Sequence, residues 1–295
     1  MIERKEIDLA SQSVFGQYIH NLDNSTYNFT NMYMWAGDGD ITYGETDGCL
    51  AIFFQGKRRP LSVSYPVGDG DRKNAILHLS NYIRELDLRP VFRNLSREMV
   101  AELESLYPGA FEFVEDRAAA DYIYETEKMI TLSGKKLHAK RNHYNFFKNN
   151  YAYVYRQLTA EDMPDCMALF ERWLDEKENK KWIGTSREAT AKLLGSFAAL
   201  PVRAGGLYVE DELIAFSVGE PVTEDTVLVH LEFAADIRGA FNVINSEFCA
   251  HEWPGYTYVN REEDMGLDGL RQTKLAYRPV RLLEKFNAVQ IAPLQ

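Results

Sequence analysis

The chain of 295 residues carries a net charge of −11, and 45% of its residues are hydrophobic and 13% aromatic. This composition is enough for one large or two ordinary folded domains, and it favours a folded chain over a disordered one. The acidic balance disfavours a protein that binds nucleic acid over its whole surface.

Cysteine usage and apolar runs indicate the compartment. The three cysteines are odd in number and far apart, which fits neither a disulfide framework nor a metal site and is typical of a reducing cytoplasm. Residues 1–12 alternate in charge and lack the apolar core of a signal peptide. No apolar run reaches the roughly 18 residues that a membrane-spanning helix needs. We therefore expect a cytoplasmic protein that binds no metal and has no transmembrane segment.

The first part of the chain is predicted to be a mixed α/β unit. Residues 49–56 and 59–68 alternate or run apolar and predict two strands joined by a basic turn. Helical spacing over 76–86 and over 96–106, the second after the cap residue Ser96, predicts two helices around the short strand 89–95.

The second part predicts helices first and then a run of strands. Thr159 and Asp162 form a capping-box pattern that opens a helix through Leu174, and a further helix is expected after Ser186. The remaining predicted elements are a hairpin over 205–220, a strand over 225–236, a helix over 242–253, and strands over 256–259 and 280–287. This order is typical of an α+β fold, because it lacks the strict alternation of a parallel doubly wound sheet.

The charge is unevenly distributed, because residues 128–160 contain seven Lys and Arg residues and no Asp or Glu. A helix over 133–148 is predicted there, with candidate substrate-binding residues Lys136, His138, Lys140 and Arg141. One interpretation is a connecting helix whose cations pair with an acidic body. The other is an anion-binding segment for a few phosphates of a nucleotide or nucleic-acid backbone.

A dense group of charges follows the predicted strand 256–259. Gly266 and Gly269 bound a turn and permit backbone conformations closed to other residues. Asp268 is expected to cap a short helix that ends before Pro279. The charges form either an ion-pair network that fixes the loop or a substrate site in which bases bind phosphate or carboxylate. The candidates are Asn260, Arg261, Glu262, Glu263, Asp264, Arg271 and Lys274.

Two long segments carry a family resemblance. Residues 121–151 and 259–286 resemble signature segments of the soluble C-terminal domain of phosphatidylglycerol lysyltransferase, and the segments "GGLYVEDELIAFSVGE" and "HLEFAADIRGAFNVIN" are similar to that family as well. The resemblance implies an α+β protein of two tandem units of the Gcn5-related N-acetyltransferase (GNAT) fold, each a mixed, mainly antiparallel sheet flanked by helices. We expect the units to span residues 1–132 and 133–295, with the site in the second.

The resemblance also implies a reaction, with two departures. Characterised relatives transfer an aminoacyl group from aminoacyl-tRNA to a lipid hydroxyl. Lysyltransferases carry an upstream multi-span membrane domain that this sequence does not contain, and Phe233 stands where relatives usually have lysine. Lysine transfer to phosphatidylglycerol is therefore an expectation by analogy.

Two groups are candidates for the chemistry. Glu232 is a candidate general base, with His230 two residues away on the same face of the predicted strand, although both residues also fit a solvated strand face. The loop at Arg238 and Gly239 occupies the place where an acetyltransferase binds the coenzyme A pyrophosphate. Asp236 and Phe241 fit that role poorly, because one is acidic and the other bulky.

Three functions remain open at this point. The first is an acyltransferase that moves an aminoacyl group from aminoacyl-tRNA to a small-molecule or lipid head-group acceptor without a required cofactor; it predicts that the basic helix lies near the second-unit cleft. The second is a GNAT-type N-acyltransferase that uses a coenzyme A thioester as co-substrate. The third is a non-catalytic binding protein on a decayed transferase fold.

Overall fold

The computed structural model describes residues 2–37, 39–56, 59–175 and 183–294. The chain forms two compact units, one from Met1–Ala120 together with Leu283–Gln295 and the other from Asp121–Leu282. Two units were expected, but the boundaries 1–132 and 133–295 differ from these. Residues 121–125 form a strand of the second sheet and residues 286–290 a strand of the first, and these pairings set the boundaries.

The secondary structure is mixed in both units. The strands are β1 Lys5–Glu6, β2 Ile41–Thr46, β3 Cys49–Gly56, β4 Arg59–Ser64, β5 Val91–Leu95, β6 Phe111–Glu115, β7 Asp121–Glu125, β8 Tyr153–Leu158, β9 Arg203–Val209, β10 Glu212–Pro221, β11 Thr226–Ala234, β12 Tyr258–Asn260, β13 Arg281–Leu283 and β14 Phe286–Gln290. The helices are α1 Gln12–Tyr18, α2 Phe29–Trp35, α3 Arg72–Glu85, α4 Arg97–Leu106, α5 Thr126–Thr131, α6 His138–Asn150, α7 Met163–Asp175, α8 Ile183–Gly195, α9 Ala240–Glu252 and α10 Asp268–Ala276.

The first unit is built on a sheet of order β1-β2-β3-β4-β5-β14-β6. The C-terminal strand β14 lies between β5 and β6 and is antiparallel to both. Buried side chains of β3, β4, β5 and α3 form the core of this unit, including Phe53, Val63, Ile76 and Phe92. Ser96 caps α4 as predicted, because its Oγ accepts a hydrogen bond from the amide of Met99 at 3.3 Å.

The second unit is built on a sheet of order β13-β7-β12-β11-β10-β9-β8. Helix α9 packs on β9, β10 and β11, and α5 and α6 pack on α9. Helix α7 packs on β10 and β11, where the ring of Phe170 lies 4.7 Å from that of Phe233. Successive strand residues face opposite sides, so Glu232 and Phe233 mark the α9 face and the α7 face of this sheet.

Most predicted elements of the second unit are present, with four differences. The helix predicted over 133–148 begins only at His138, after the short turn Lys135–Leu137. The expected strand 280–287 is two strands, β13 and β14, that belong to different sheets. Helix α8 begins at Ile183, ahead of Ser186. Asp268 is the first residue of α10 and Leu267 the cap, without a side-chain capping bond. In the basic turn predicted after strand β3, Lys57 and Arg58 lie outside the described residues.

The neighbouring parallel strands β11 and β12 form the place where the candidate site lies. Their pairing covers only Thr226 with Tyr258, Val227 with Val259, and Leu228 with Asn260. Beyond this point β11 continues to Ala234, whereas the chain leaves β12 as a loop. The two segments therefore separate, and polar side chains fill the opening between them. We call this opening the strand split.

The structure also bears on the cysteines and on the length of the helices. Cys49, Cys166 and Cys249 are buried and free, so they form no disulfide with one another. Within the described ranges, every helix is too short or too polar to span a membrane.

Candidate active site

Two pairs of charged side chains bridge the strand split. His230 and Glu232 extend from β11 on the same face of the sheet. Arg261 and Glu262 extend from the loop that follows β12. Glu232 lies 3.0 Å from Arg261, and His230 lies 3.1 Å from Glu262. The sequence therefore brings two of its candidate catalytic residues next to two of its candidate binding residues.

Glu232 is held by two donors and remains at the edge of solvent. The Arg261 Nη2 group donates to both carboxylate oxygens, at 3.0 and 3.2 Å, and the amide of Asn245 on α9 donates to one of them. The side chains of Glu232 and Arg261 are each 11% exposed. Burial raises the pKa of Glu232 above its ordinary value, although the charge of Arg261 and the hydrogen bond from Asn245 oppose the rise. The carboxylate is thus more basic than an ordinary surface glutamate.

His230 has no exposed side-chain surface and no free ring nitrogen. Its Nε2 lies 2.9 Å from Glu220 on β10, and its Nδ1 lies 3.1 Å from Glu262. Burial alone would lower the pKa of the ring, but the hydrogen bonds and charges of the two glutamates raise it to about 9. A buried imidazolium with both N–H groups engaged cannot take a proton from a substrate. The catalytic role expected of His230 is therefore not supported, and we assign it the task of fixing the loop to β10 and β11.

The loop after β12 is fixed by buried polar groups. Asn260 Oδ1 accepts a hydrogen bond from the amide of Glu262 at 2.8 Å, and its Nδ2 donates to Asp121 at 3.2 Å. Asp264 accepts hydrogen bonds from Tyr122 at 2.6 Å and from Arg271 at 2.8 and 3.1 Å. Burial would raise the pKa of Asp264, but these donors lower it to about 2. Asn260 and Asp264 are thus structural.

Lys274 extends from α10 beneath the same loop. Its ammonium donates to the backbone carbonyls of Arg261, Glu262 and Glu263, and the residue is only 8% exposed. Burial and the charge of Arg261 lower the pKa of Lys274 to about 8. Arg271 and Lys274 thus both hold this loop, as in the ion-pair network that the sequence offered as one interpretation, and a ligand-binding role for them stays a prediction. Of the three basic residues Arg261, Arg271 and Lys274, Arg261 is the one whose side chain contacts Glu232.

The basic helix divides into residues that face outward and residues that face the split. Lys135 and Lys136 are exposed in the turn before α6, and His138 is exposed at its start. Arg141 donates to the carbonyls of Leu132 and Gly134, so it ties the helix to the preceding turn and is not free to bind a substrate.

Lys140 is the residue of α6 that reaches the split. Its Nζ lies 4.3 Å from the centre of the Tyr277 ring, which Arg261 approaches to 5.1 Å. The charges of Arg261 and Glu232 both act on it. The basic helix thus lies next to the strand split, which is the placement that the aminoacyl-transfer hypothesis predicts for it.

Three side chains of the site were not predicted from the sequence. Asn245 binds Glu232, and Asn242 donates to the Tyr277 hydroxyl at 2.6 Å. Both asparagines extend from α9, where they are three residues apart and buried. That spacing of two buried amides was the available signal. Tyr277 lies in the quoted signature segment, but nothing in its spacing indicates a role.

The loop expected to hold a coenzyme A pyrophosphate packs against α6. Gly239 has a φ angle of 92°, and a Cβ atom there would lie 2.2 Å from the carbonyl oxygen of His143. The Arg238 guanidinium lies 4.3 Å from the centre of the Phe146 ring. The start of α9 therefore faces another helix closely on this side. Within the described part of the chain, no group of three or more His, Cys, Asp or Glu side chains could hold a metal ion.

Comparison with known proteins agrees with this architecture. The family model described as "Phosphatidylglycerol lysyltransferase, C-terminal" matches residues 19–289. A conserved protein of unknown function from Bacteroides thetaiotaomicron VPI-5482 is 35% identical, with a TM-score of 0.90 over 99% of this chain and 100% of its own.

Two further solved structures show the fold at low identity. The structure of L-PGS from Bacillus licheniformis has a TM-score of 0.71 at 19% identity, over 97% of this chain and 93% of its own. The crystal structure of FemX has a TM-score of 0.60 at 9% identity, over 97% of this chain and 96% of its own. The fold is thus α+β with two tandem GNAT-like units.

Proposed function

The chain belongs to the family of the phosphatidylglycerol lysyltransferase C-terminal domain, and from this premise we propose that it transfers an aminoacyl group from aminoacyl-tRNA to a hydroxyl or amine acceptor. The acceptor class that we propose is a lipid head group or a small molecule of similar chemistry. The reaction takes place at the strand split of the second unit.

The observation that carries the proposal is the position of the basic helix. Lys140 of α6 lies at the split, 4.3 Å from the centre of the Tyr277 ring, while Lys135, Lys136 and His138 are exposed in or next to the same helix. A polyanion that binds the exposed cations is thereby brought next to Glu232 and Arg261. Because the whole chain carries −11, this concentration of positive charge directs a polyanion to one place.

Glu232 supplies the base that the transfer needs. The acceptor hydroxyl or amine attacks the carbonyl carbon of the aminoacyl ester and gives its proton to the Glu232 carboxylate. The raised pKa of Glu232 favours this proton transfer, and Arg261 with Asn245 hold the carboxylate in place. Proximity and orientation contribute the rest of the rate enhancement.

An acyl-CoA N-acyltransferase is the second candidate, and the structure gives it less support. Asp236 precedes the start of α9, and Gly239 is packed against His143 of α6. A pyrophosphate binds best at an open helix start with free amide groups and no acidic neighbour. The non-catalytic candidate is disfavoured by the arrangement of Glu232, whose pKa is raised while its side chain keeps an exposed edge.

The test of the donor is a binding series with bulk aminoacylated tRNA, coenzyme A and acetyl-CoA. We expect salt-dependent binding of the tRNA, with the slope of log Kd against log salt reduced by about two in the double variant Lys135→Gln/Lys136→Gln. The matched control, Lys73→Gln/Lys192→Gln, removes the same charge from α3 and α8 and should leave the slope unchanged. Binding of acetyl-CoA alone would move the protein to the second candidate.

The test of the chemistry follows transfer of a labelled amino acid from the bound tRNA to phosphatidylglycerol or a glycerol-phosphate head group. Glu232→Gln keeps the size of the side chain and a hydrogen-bond acceptor for Arg261 but removes the base, so we expect transfer to fall on the order of 10²–10⁴-fold at unchanged tRNA affinity. Transfer within about threefold of the wild type would exclude Glu232 as the base.

A further inference from the structure

Lys140 differs from the other cations around the strand split. Arg261 is paired with Glu232, Arg271 with Asp264, and Lys274 with three backbone carbonyls. Among the residues that the structure describes, none accepts a hydrogen bond from the Lys140 ammonium, which lies over the Tyr277 ring. Within the described part of the chain, its ammonium is therefore a proton donor without an acceptor, beside Arg261, whose Nη1 is likewise buried without a hydrogen-bond partner although its Nη2 is paired with Glu232.

The ring of Tyr277 determines where this ammonium lies. The Tyr277 hydroxyl accepts a hydrogen bond from Asn242 at 2.6 Å, and the residue is 4% exposed, so the ring is fixed. Lys140 approaches the ring centre to 4.3 Å from α6, and Arg261 approaches it to 5.1 Å from the loop after β12. The ammonium of Lys140 and the guanidinium of Arg261, which is paired with Glu232, thus both lie over one buried ring.

We propose that Lys140 is the general acid of the transfer, donating a proton to the oxygen atom that leaves the aminoacyl ester. This inference rests on the aminoacyl transfer proposed above. In that reaction Glu232 takes the proton of the acceptor, and Lys140 supplies the proton that the leaving oxygen needs. The ligand class that it implies is an ester with a poor alkoxide leaving group, such as the 3′-oxygen of a ribose.

The step balances as follows in atoms and charges. The acceptor heteroatom forms a bond to the ester carbonyl carbon and gives its proton to Glu232. The bond between that carbon and the leaving oxygen breaks, and the oxygen takes a proton from the Lys140 ammonium. The products are the aminoacylated acceptor and a free hydroxyl. Neutral Lys140 and protonated Glu232 then return to their starting forms by proton exchange with water.

The electrostatic environment suits an acid. Burial and then the positive charge of Arg261 lower the pKa of Lys140, against the opposing effect of Glu232. A lower pKa makes the ammonium a stronger acid near neutral pH, while the raised pKa of Glu232 makes the carboxylate a stronger base. The surroundings of Lys140 therefore favour its role as the acid, and those of Glu232 favour its role as the base.

The test compares donors that differ in the need for a proton on the leaving oxygen. An aminoacyl methyl ester and aminoacyl-tRNA release alkoxides that need the proton, whereas an aminoacyl p-nitrophenyl ester releases a stable phenolate. We expect Lys140→Gln to slow transfer on the order of 10²-fold with the first two donors and to leave the nitrophenyl ester within about threefold. Lys140→Arg keeps the charge but cannot release a proton, so it should not restore the rate.

The controls separate the possible outcomes. Lys148→Gln removes an equal charge from the same helix, where Lys148 lies over Tyr144, and should leave transfer from the methyl and nitrophenyl esters unchanged. An equal loss on all donors, no loss on any donor, or rescue by arginine would overturn the general-acid role. Absence of transfer from aminoacyl-tRNA by the wild-type protein would overturn the proposed donor alone, since the comparison of methyl and nitrophenyl esters tests Lys140 without RNA.

Discussion

At the scale of single residues, the second unit stabilises one loop with buried charges. Lys274 donates to three carbonyls of the loop after β12, and Asp264 accepts from Arg271 and Tyr122. A buried charge without such partners would cost several kcal/mol. The loop is therefore held in the conformation that places Arg261 against Glu232.

Lys274→Met keeps the length of the side chain but takes the ammonium donor away from the carbonyls of Arg261 and Glu263, whereas the Glu262 carbonyl keeps the hydrogen bond from the Tyr122 amide. Each unsatisfied group costs about 1–3 kcal/mol, and relief from burying the charge offsets part of this, so we expect a loss of about 2–4 kcal/mol in the free energy of unfolding. Urea denaturation measures it. The control Lys128→Met breaks a surface pair with Glu125 and should change stability by less than about 0.5 kcal/mol. Equal effects of the two variants would show that the carbonyl contacts contribute little.

His230 makes stability depend on pH. Its pKa is about 9 in the folded chain against an ordinary 6.5, so its contribution is complete below pH 6.5 and is lost as the pH rises through 9. Lys274 acts in the opposite direction between about 8 and 10.5, because its pKa is lowered. The difference in unfolding free energy between the wild type and His230→Gln cancels the Lys274 effect. We expect this difference to shrink between pH 6.5 and 9 in urea titrations. A constant difference would mean that the ring is neutral in the folded chain.

At the scale of elements, the close contact between α9 and α6 fixes the basic helix. A Cβ atom at Gly239 would collide with the His143 carbonyl oxygen, so no residue with a side chain fits there. Gly255 has a similar φ of 97°, but a Cβ atom there would meet no other atom. Gly255→Ala should cost only the backbone strain of about 1–2 kcal/mol. Gly239→Ala should cost that amount and also displace α6.

The displacement has a direct readout. Trypsin cleaves after Lys140, Arg141 and Lys148, so a displaced α6 should be cut faster in native Gly239→Ala than in the wild type or Gly255→Ala. Mass spectrometry of the early fragments identifies the sites. Equal rates of cleavage in the two glycine variants would show that α6 does not depend on this contact.

Elements set by local signals were predictable from the sequence. The hairpin β9–β10, the capping box at Thr159 and the position of Glu232 on strand β11 follow from short-range patterns. The division of the predicted last strand into β13 and β14 was not predictable in this way, because β14 pairs with β5 and β6, which are distant in sequence. The sequence left the roles of Arg271 and Lys274 open between loop contacts and ligand binding, because only tertiary packing decides which carbonyls and carboxylates Arg261, Arg271 and Lys274 contact.

At the scale of the whole molecule, the second unit is inserted into the first. The chain leaves the first unit at Ala120 and returns to it at Leu283. The returning strand β14 takes an interior position, between β5 and β6, and Ala288 at its centre is fully buried. The sheet of the first unit is therefore completed only by residues close to the end of the sequence.

This topology predicts that the first unit depends on its last strand. Removal of residues after Glu284 keeps β13 in the second sheet but takes β14 away, so β6 loses its partner strand and β5 loses one of two. We expect amides of β5 and β6 to exchange hydrogen rapidly in the truncated chain, while amides of β9, β10 and β11 stay protected. Hydrogen exchange followed by mass spectrometry separates the two sheets by their peptides.

A pair of point variants tests the same dependence without deletion. Ala288→Asp places a charge at a fully buried position of β14, whereas Ile291→Asp places the same charge just beyond the strand at a residue that is 54% exposed. The first should expose β5 and β6 to exchange as the truncation does, and the second should not. If both sheets lost protection together, the two units would unfold as one cooperative body. If neither did, the interior strand would contribute little to the first unit, contrary to its pairing on both edges.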